Sequence, residues 1–333
     1  MMKDENSTQY ITLHVDILAG HLTLPVDIYI RLSEHKYVKV VNAHGEFHLD
    51  ILDHYRQKGI DYFCVRRDAY QAFADYFSPK LQGQITDSEG KTFCIKSGIQ
   101  QTAVQLILGE LFSARQLSPS TAQLLYSTLS SVISDVKKCP KLGEVLKCFM
   151  RRKDFLSGHS LQLAYICNLV LLKLPWKSNE IMRKLATASM IHDISLQQAD
   201  LAHICTREQV QLLPVEQQAL LMDHPLQSVM HLADVDLGFP DLDQIILCHH
   251  EIPGEGFPGR SATTSISKVA ALFIICEEFV TRIHGRESDQ PYLQQLKMEF
   301  EKKYDIGNFS QPLGGLIELF DDMYHYSSII CNR

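Results

Sequence analysis

The hydrophobic pattern of the chain changes its period near residue 100, and this change limits the folds open to it. Before that point, short segments alternate apolar and polar residues, which is typical of half-buried β-strands. The pattern predicts strands over 10–18, 26–32, 36–42 and 61–67, and helices over 48–58 and 68–78, the second ending near Pro79. The first 98 residues are therefore expected to form a small α+β domain.

Beyond residue 98 the apolar spacing is helical and stays so to the end of the chain. Helices are expected over 99–115, 119–137, 141–150, 156–173, 178–193, 214–235, 241–251, 264–284, 288–304 and 312–328. We therefore predict three parts: an α+β domain over 1–98, a helical connector over 99–149 and an all-α bundle over 150–333. The first part contains no phosphate-binding glycine motif and is expected to be a regulatory or partner-binding domain.

Composition narrows the functional classes. The net charge is −7. The acidic excess lies wholly after residue 150, where the chain has 16 Lys and Arg but 23 Asp and Glu. A DNA-binding protein would usually carry a basic face, so no DNA partner is expected. The apolar runs reach about eight residues, as over 269–276, whereas a membrane helix needs about 20. With no export signal at the N-terminus, we expect a cytoplasmic protein with no membrane span, whose nine cysteines are mostly buried, reduced thiols.

Histidines and acidic residues in the helical part form an ordered series of short motifs. The motifs are GHS at 158–160, HD at 192–193, DHP at 223–225, HH at 249–250 and GEGFPG at 254–259. Any one of them alone is more typical of a core or surface histidine than of a ligand. Together they suggest a metal centre, because imidazole and carboxylate groups from several helices can converge in a bundle core.

The order of these motifs resembles that of the HD-GYP family, a branch of the HD-domain metal phosphohydrolases, over about residues 150–330. The resemblance implies an HD-type helical bundle with a binuclear metal centre that hydrolyses the bacterial signalling molecule cyclic di-GMP. His192 and Asp193 match the HD pair, with Asp193 expected to bridge two divalent metal ions, Fe or Mn. Catalysis is expected to depend on this pair.

The resemblance also implies a complete set of metal ligands. One ion would take His159, His192, Asp193 and Glu277, and the other Asp193, His224, His249 and His250. Glu277 falls where the family has its late aspartate, and Glu278 competes with it for that role. Glu277 could instead be a solvated helix residue.

Candidate substrate-binding residues follow the metal motifs. The GEGFP segment, with Gly256, Phe257 and Pro258, matches the family's GxGYP loop and is expected to shape the pocket. Basic residues on or near the next helix are candidates for a substrate phosphate: Lys268, Arg282 and Arg286. Surface exposure without a function is an equally good interpretation of the two arginines.

The sequence also departs from the family pattern. Leu196 stands where a lysine is expected, Phe257 where the motif tyrosine is expected, and Ile252 where an arginine is expected. Phe155 replaces a glutamate that binds a third metal in some members, so two ions are expected. These changes remove several polar groups that would contact substrate but retain most of the metal ligands.

We therefore predict a divergent cyclic di-GMP phosphodiesterase with weak or lost activity. Two alternatives remain open. The protein could be a degenerate module that binds cyclic di-GMP or a protein partner and signals through the N-terminal domain. It could also hydrolyse another nucleotide.

Overall fold

The computed structural model describes residues 9–18, 23–33, 36–45, 49–138, 142–149, 155–196, 201–239, 241–259, 261–284 and 290–330. Within this part of the chain the residues pack as two compact units. The first comprises residues up to Gly90 together with Gly98–Thr128. The second comprises Lys91–Ser97 and Leu129 onward.

The first unit contains a four-stranded antiparallel sheet. Its strands are β1 (Tyr10–His14), β2 (Ile28–Ser33), β3 (Lys36–Val41) and β4 (Tyr62–Arg66), in the spatial order β1-β4-β2-β3. β1 pairs with β4 from Tyr10↔Arg66 to His14↔Tyr62, and β2 pairs with β3. Ile11, Leu13, Ile28, Ile30, Phe63 and Val65 are all buried. The alternation in the sequence therefore marks the face of the sheet that lies in the core.

Four helices contribute to this unit: α1 (Leu49–Gln57), α2 (Tyr70–Asp87), α3 (Phe93–Ala114) and α4 (Pro119–Lys137). α3 and α4 also supply residues to the second unit. The predicted end of α2 near Pro79 is wrong, because the helix continues through Pro79 for two further turns. Phe77 and Leu81 are both buried on either side of it. This apolar burial outweighs the hydrogen bond that proline removes from the helix.

All the regular secondary structure in the described part of the second unit is helical. It contains α5 (Leu142–Phe149), α6 (Phe155–Leu172), α7 (Asn179–Ile191), α8 (Arg207–Gln211), α9 (Val215–Leu232), α10 (Leu242–Cys248), α11 (Lys268–Ile283), α12 (Gln290–Tyr304) and α13 (Ser310–Ile330). α6 contacts α5, α7, α11 and α13 and is buried along most of its length. The prediction of an α+β domain followed by an all-helical domain is confirmed.

Two differences from the sequence-based expectations concern the second unit. The short helix α8 was not expected; it begins with a capping box in which Thr206 and Gln209 satisfy each other's backbone amides. Cys94 and Cys148 form a disulfide across 54 residues, although reduced thiols were expected. Sequence spacing could not show this pair, because it depends on the packing of α5 beside the start of α3. None of the described helices combines the length and apolar character needed to cross a membrane.

Candidate metal centre

Three helices and the turns after two others carry the histidines and carboxylates singled out from the sequence. His159 lies on α6, His224 on α9 and Glu277 on α11, while His192–Asp193 and His249–His250 directly follow the ends of α7 and α10. All seven residues are buried, and the most exposed of them, Asp193, has 7% of its surface accessible. The tertiary structure therefore brings every predicted metal ligand into one buried region.

Contacts outside the cluster hold these elements together. Lys184 of α7 forms an ion pair with Asp241 at the start of α10, with its Nζ 2.6 Å from Oδ1. Ser195, two residues after Asp193, donates a hydrogen bond of 2.9 Å from its hydroxyl to the carbonyl oxygen of His224. These bonds tie the HD turn and α7 to the helices that carry the other histidines.

Three of the histidines are oriented in the same way. His192, His224 and His249 each donate Nδ1–H to the carbonyl oxygen three residues earlier, at 3.0, 2.6 and 2.5 Å. A carbonyl can only accept, so each Nδ1 carries a proton, and each ring in its neutral form presents the Nε2 lone pair on its other side. Such outer bonds are typical of metal-ligating histidines, because they set the tautomer and the ring orientation.

The first group of converging ligand atoms comes from Asp193, His224, His249 and His250, whose atoms lie within 4.8 Å of one another. The Nε2 atoms of His224 and His249 are only 2.9 Å apart. Each also lies 3.4 Å from Oδ1 of Asp193. With both Nδ1 atoms protonated, neither neutral ring has a proton to place between the two Nε2 atoms. A cation among these three atoms would relieve the repulsion of their lone pairs.

The second group shares Asp193 with the first. Ligand atoms of His159, His192 and Asp193 lie within 4.8 Å of one another. Oδ2 of Asp193 is 3.2 Å from Nε2 of His192, so the two oxygens of this carboxylate face different groups. Glu277 contacts both histidines of the second group, at 3.0 Å from His159 Nε2 and 3.5 Å from His192 Nε2.

The charges in the cluster depend on one another. Burial by itself raises the pKa of Asp193 and of Glu277, but the neighbouring histidines outweigh it. The pKa of Asp193 falls well below its ordinary value, and that of Glu277 falls to about 2. Burial by itself lowers the pKa of His192, but Asp193 and Glu277 raise it to about 9.

The pKa values of the adjacent His249 and His250 shift in the opposite direction from that of His192. Burial is the main cause that lowers the pKa of His249, and it lowers the pKa of His250 far more. Both rings are therefore held neutral at physiological pH, which is the form that binds a metal.

The donor set fits divalent cations. Nε2 of His192, Oδ1 of Asp193 and Nδ1 of His250 are buried and have no hydrogen-bond partner among the described residues. Buried polar atoms without a partner are costly, and a metal ion would satisfy them. Mixed imidazole and carboxylate donors suit Fe, Mn and Zn.

The two adjacent glutamates of α11 have different surroundings. Glu277 faces the histidines and accepts a further hydrogen bond of 3.0 Å from Thr281 Oγ1. Glu278 is equally buried but bonds to Tyr304 and Lys303 of α12. Successive residues of a helix point about 100° apart, so the two carboxylates serve separate networks. The geometry favours Glu277 over Glu278 as the late carboxylate ligand.

The loop after His250 folds back tightly on itself. The carbonyl oxygen of His250 accepts hydrogen bonds from the amides of Ile252 (2.9 Å) and Phe257 (3.0 Å). A Cβ atom on Gly256 would lie 2.4 Å from that same oxygen, so only glycine fits there. The Phe257 ring is fully buried and stacks on His250, with ring centroids 4.5 Å apart, and a cis peptide bond joins it to the half-buried Pro258. Any contact of this loop with substrate stays a prediction.

The two main departures from the family motif lie in one apolar cluster. Leu196 and Phe257 pack together with Leu201, Ala202, Val210 and Leu221. The side chains that replace the expected lysine and tyrosine therefore form part of a hydrophobic wall beside His250.

The basic candidates are placed differently from one another. Lys268 is exposed at the first residue of α11, about 14 Å along the helix from Glu277 at 1.5 Å per residue. The guanidinium of Arg282 lies 2.6 Å from Glu299 and 3.5 Å from Glu278, so carboxylates of the protein already surround it. Arg286 lies outside the described residues. A role of these residues in substrate binding stays a prediction.

Sequence reasoning missed two polar residues that support the site. Thr281 holds Glu277 from one helical turn further along α11, and its i+4 spacing is a signal that could have revealed it. His284 is buried at the end of α11, with its Nδ1 2.6 Å from Oε1 of Gln162 and its ring centroid 6.1 Å from that of His159. Nothing local marks His284, since only the packing of α11 against α6 brings it there.

Comparison with known proteins supports the fold. No family model matches the sequence, and no curated protein matches it. Among solved structures, Bd1817, a HDG"Y"P protein from Bdellovibrio bacteriovorus, is similar with a TM-score of 0.63 and 16% sequence identity. The match covers 92% of this chain and 99% of that one. At this identity the likeness shows a shared fold alone: the chain has the fold of that protein. Its buried histidines and Asp193 form groups that could hold metal ions.

Proposed function

We propose that the protein is a binuclear metal phosphodiesterase of the HD-GYP type that acts on cyclic di-GMP, with weak activity. The observation that carries this proposal is the 2.9 Å approach of the His224 and His249 Nε2 atoms beside Asp193 Oδ1. Both rings have their Nδ1 protons engaged by backbone carbonyls. This arrangement of three lone-pair donors is adapted to a cation.

The residues divide into two ligand sets joined by Asp193. One set is Asp193, His224, His249 and His250; the other is His159, His192, Asp193 and Glu277. Two Fe or Mn ions held there would activate water and neutralise charge on a phosphodiester. The chain itself holds the rings in the ligating tautomer through the Nδ1 bonds. Thr281 fixes the Glu277 carboxylate.

Weak activity follows from the apolar wall at Leu196 and Phe257. Neither side chain can donate a hydrogen bond to a substrate phosphate or base. A hydrogen bond to a charged group contributes about 1.5–3 kcal/mol. Loss of two such bonds in the transition state would slow hydrolysis by about two to four decades, at about 1.4 kcal/mol per decade.

Metal analysis tests the centre itself. We expect about two Fe or Mn ions per chain in protein purified anaerobically without a metal-binding tag. His192→Ala and Asp193→Ala should lose metal, and Asp193→Ala should lose most because both ligand sets share this residue. His54→Ala, on the exposed side of α1, serves as the control and should retain the wild-type content. Metal-free wild-type protein, or equal content in all three variants, would contradict the proposal.

Turnover and binding of cyclic di-GMP separate the proposal from its alternatives. Slow, metal-dependent hydrolysis supports a divergent phosphodiesterase, while binding without hydrolysis supports a signalling module. The apolar wall favours this second candidate, in which the N-terminal unit would contact a protein partner. Hydrolysis of other nucleotides alone would indicate a different substrate, and turnover at ordinary enzyme rates would contradict weak activity.

A further inference from the structure

An ion network centred on a buried carboxylate lies on the side of α11 that faces away from the histidines. At its centre is Glu278, 1% exposed, which accepts hydrogen bonds from Lys303 Nζ at 2.8 Å and from the Tyr304 hydroxyl. Arg282 Nη1 lies 3.5 Å from the same carboxylate. Glu278 directly follows Glu277, so these contacts fix the segment of α11 that presents Glu277 to His159 and His192.

Lys303 also reaches the loop that follows His250. Its ammonium donates a second hydrogen bond, of 2.6 Å, to Oε2 of Glu255. Glu255 belongs to the same short turn as Phe257, its amide bonding to the carbonyl of Ile252, and Phe257 stacks on His250. One ammonium group therefore joins the loop behind His250 to the helix that carries Glu277.

Two carboxylates stabilise the partly buried Lys303 ammonium in its position. The Lys303 side chain is 14% exposed, and it borders a cavity of about 810 Å³ that is also lined by Glu255, Glu278 and Arg282. Burial by itself lowers the pKa of Lys303, but Glu278 and Glu255 outweigh it and raise the pKa above its ordinary value. The neighbouring Lys302 is exposed.

We propose that Lys303 is a positioning residue for the metal centre, which sets the spacing between its two ligand groups. His250 belongs to one group and Glu277 contacts the other, and Lys303 bonds to the supports of both. The inference rests on the proposed metal centre. Loss of an outer bond to a metal ligand typically costs 10–100-fold in metal affinity, and Lys303 acts one step further out.

The test measures Mn²⁺ binding by calorimetry and by electron paramagnetic resonance on full-length protein. Lys303→Met should weaken binding of at least one ion about tenfold and alter the spin coupling of the Mn²⁺ pair. Lys303→Arg, which keeps the charge and can bridge two carboxylates, should restore much of the affinity. Lys302→Met, one residue away on the exposed face, is the matched control and should bind as wild type.

A purely structural role for Lys303 predicts a different pattern. In that case Lys303→Met would lower the melting temperature of the metal-free protein, but the folded variant would bind two Mn²⁺ ions with wild-type affinity and coupling. That result would overturn the inference and leave the proposed function intact. Wild-type protein that binds no Mn²⁺, Fe²⁺ or Zn²⁺ would overturn the proposed function and the inference together.

Discussion

Replacement of Gly256 by alanine tests whether the loop after His250 positions that histidine. The new Cβ atom would lie 2.2 Å from the Ile252 amide nitrogen and 2.4 Å from the His250 carbonyl oxygen. Both are backbone atoms, so no side-chain rotation can relieve the contact. To reach an ordinary separation of 3.4 Å, the backbone must move by about 1 Å, and overpacking of this kind typically costs about 1–3 kcal/mol.

The displaced atoms belong to His250 itself, so the metal centre should respond as well. We expect Gly256→Ala to lower the free energy of unfolding by about 1–3 kcal/mol and to weaken Mn²⁺ binding at least tenfold. Urea unfolding and calorimetric titration measure the two effects. Gly254→Ala, in the same loop, meets no atom within 4 Å and tests the backbone strain of its positive φ alone. Gly314→Ala on α13 also meets no atom and should not weaken binding. Wild-type stability and affinity in Gly256→Ala would refute the reasoning.

Three further predictions concern stability. Leu196→Lys places a charge in the apolar cluster and should lower the melting temperature by several degrees more than Phe257→Tyr does, as scanning calorimetry would show; equal effects would contradict this. Cys94→Ser should reduce the free energy of unfolding by about 2–4 kcal/mol, since the disulfide closes a loop of 54 residues, and a reductant should then have no further effect on urea unfolding. In metal-free protein, the folded state raises the pKa of His192 from 6.5 to about 9, so its protonated ring stabilises the fold. This stabilisation is complete below pH 6.5 and is lost as the pH rises through 9. His192→Gln should remove that alkaline loss from urea midpoints measured at pH 6.5 and 9.5, and an unchanged profile would count against the ion pairs of His192.

The sequence was sufficient for much of the fold because its signals are local. The change from alternating to helical spacing near residue 100 placed the sheet and most helices within a few residues of their observed ends. It failed where packing overrides local preference, as at Pro79, where the apolar contacts of α2 carry the helix through a proline. It also missed α8, which is only five residues long.

For the candidate site, sequence order identified which residues to examine, and the tertiary structure decided how they meet. Motif order singled out His159, the HD pair, His224 and His249–His250, because imidazole and carboxylate groups can bind metal ions in any fold. Only the packed helices show that the two oxygens of Asp193 face different histidine groups. Only the packed helices show that Glu277, and not Glu278, faces the histidines, because this depends on the rotation of α11 within the bundle.

The same distinction explains what no local signal could reveal. The disulfide of Cys94 with Cys148 and the bridge of Lys303 to Glu255 and Glu278 join residues 25 to 54 positions apart. Local sequence determines helix periodicity, turns and ligand chemistry, because these depend on neighbours along the chain. Burial, ion pairing and the convergence of lone pairs depend on neighbours in space, and only the folded chain decides them.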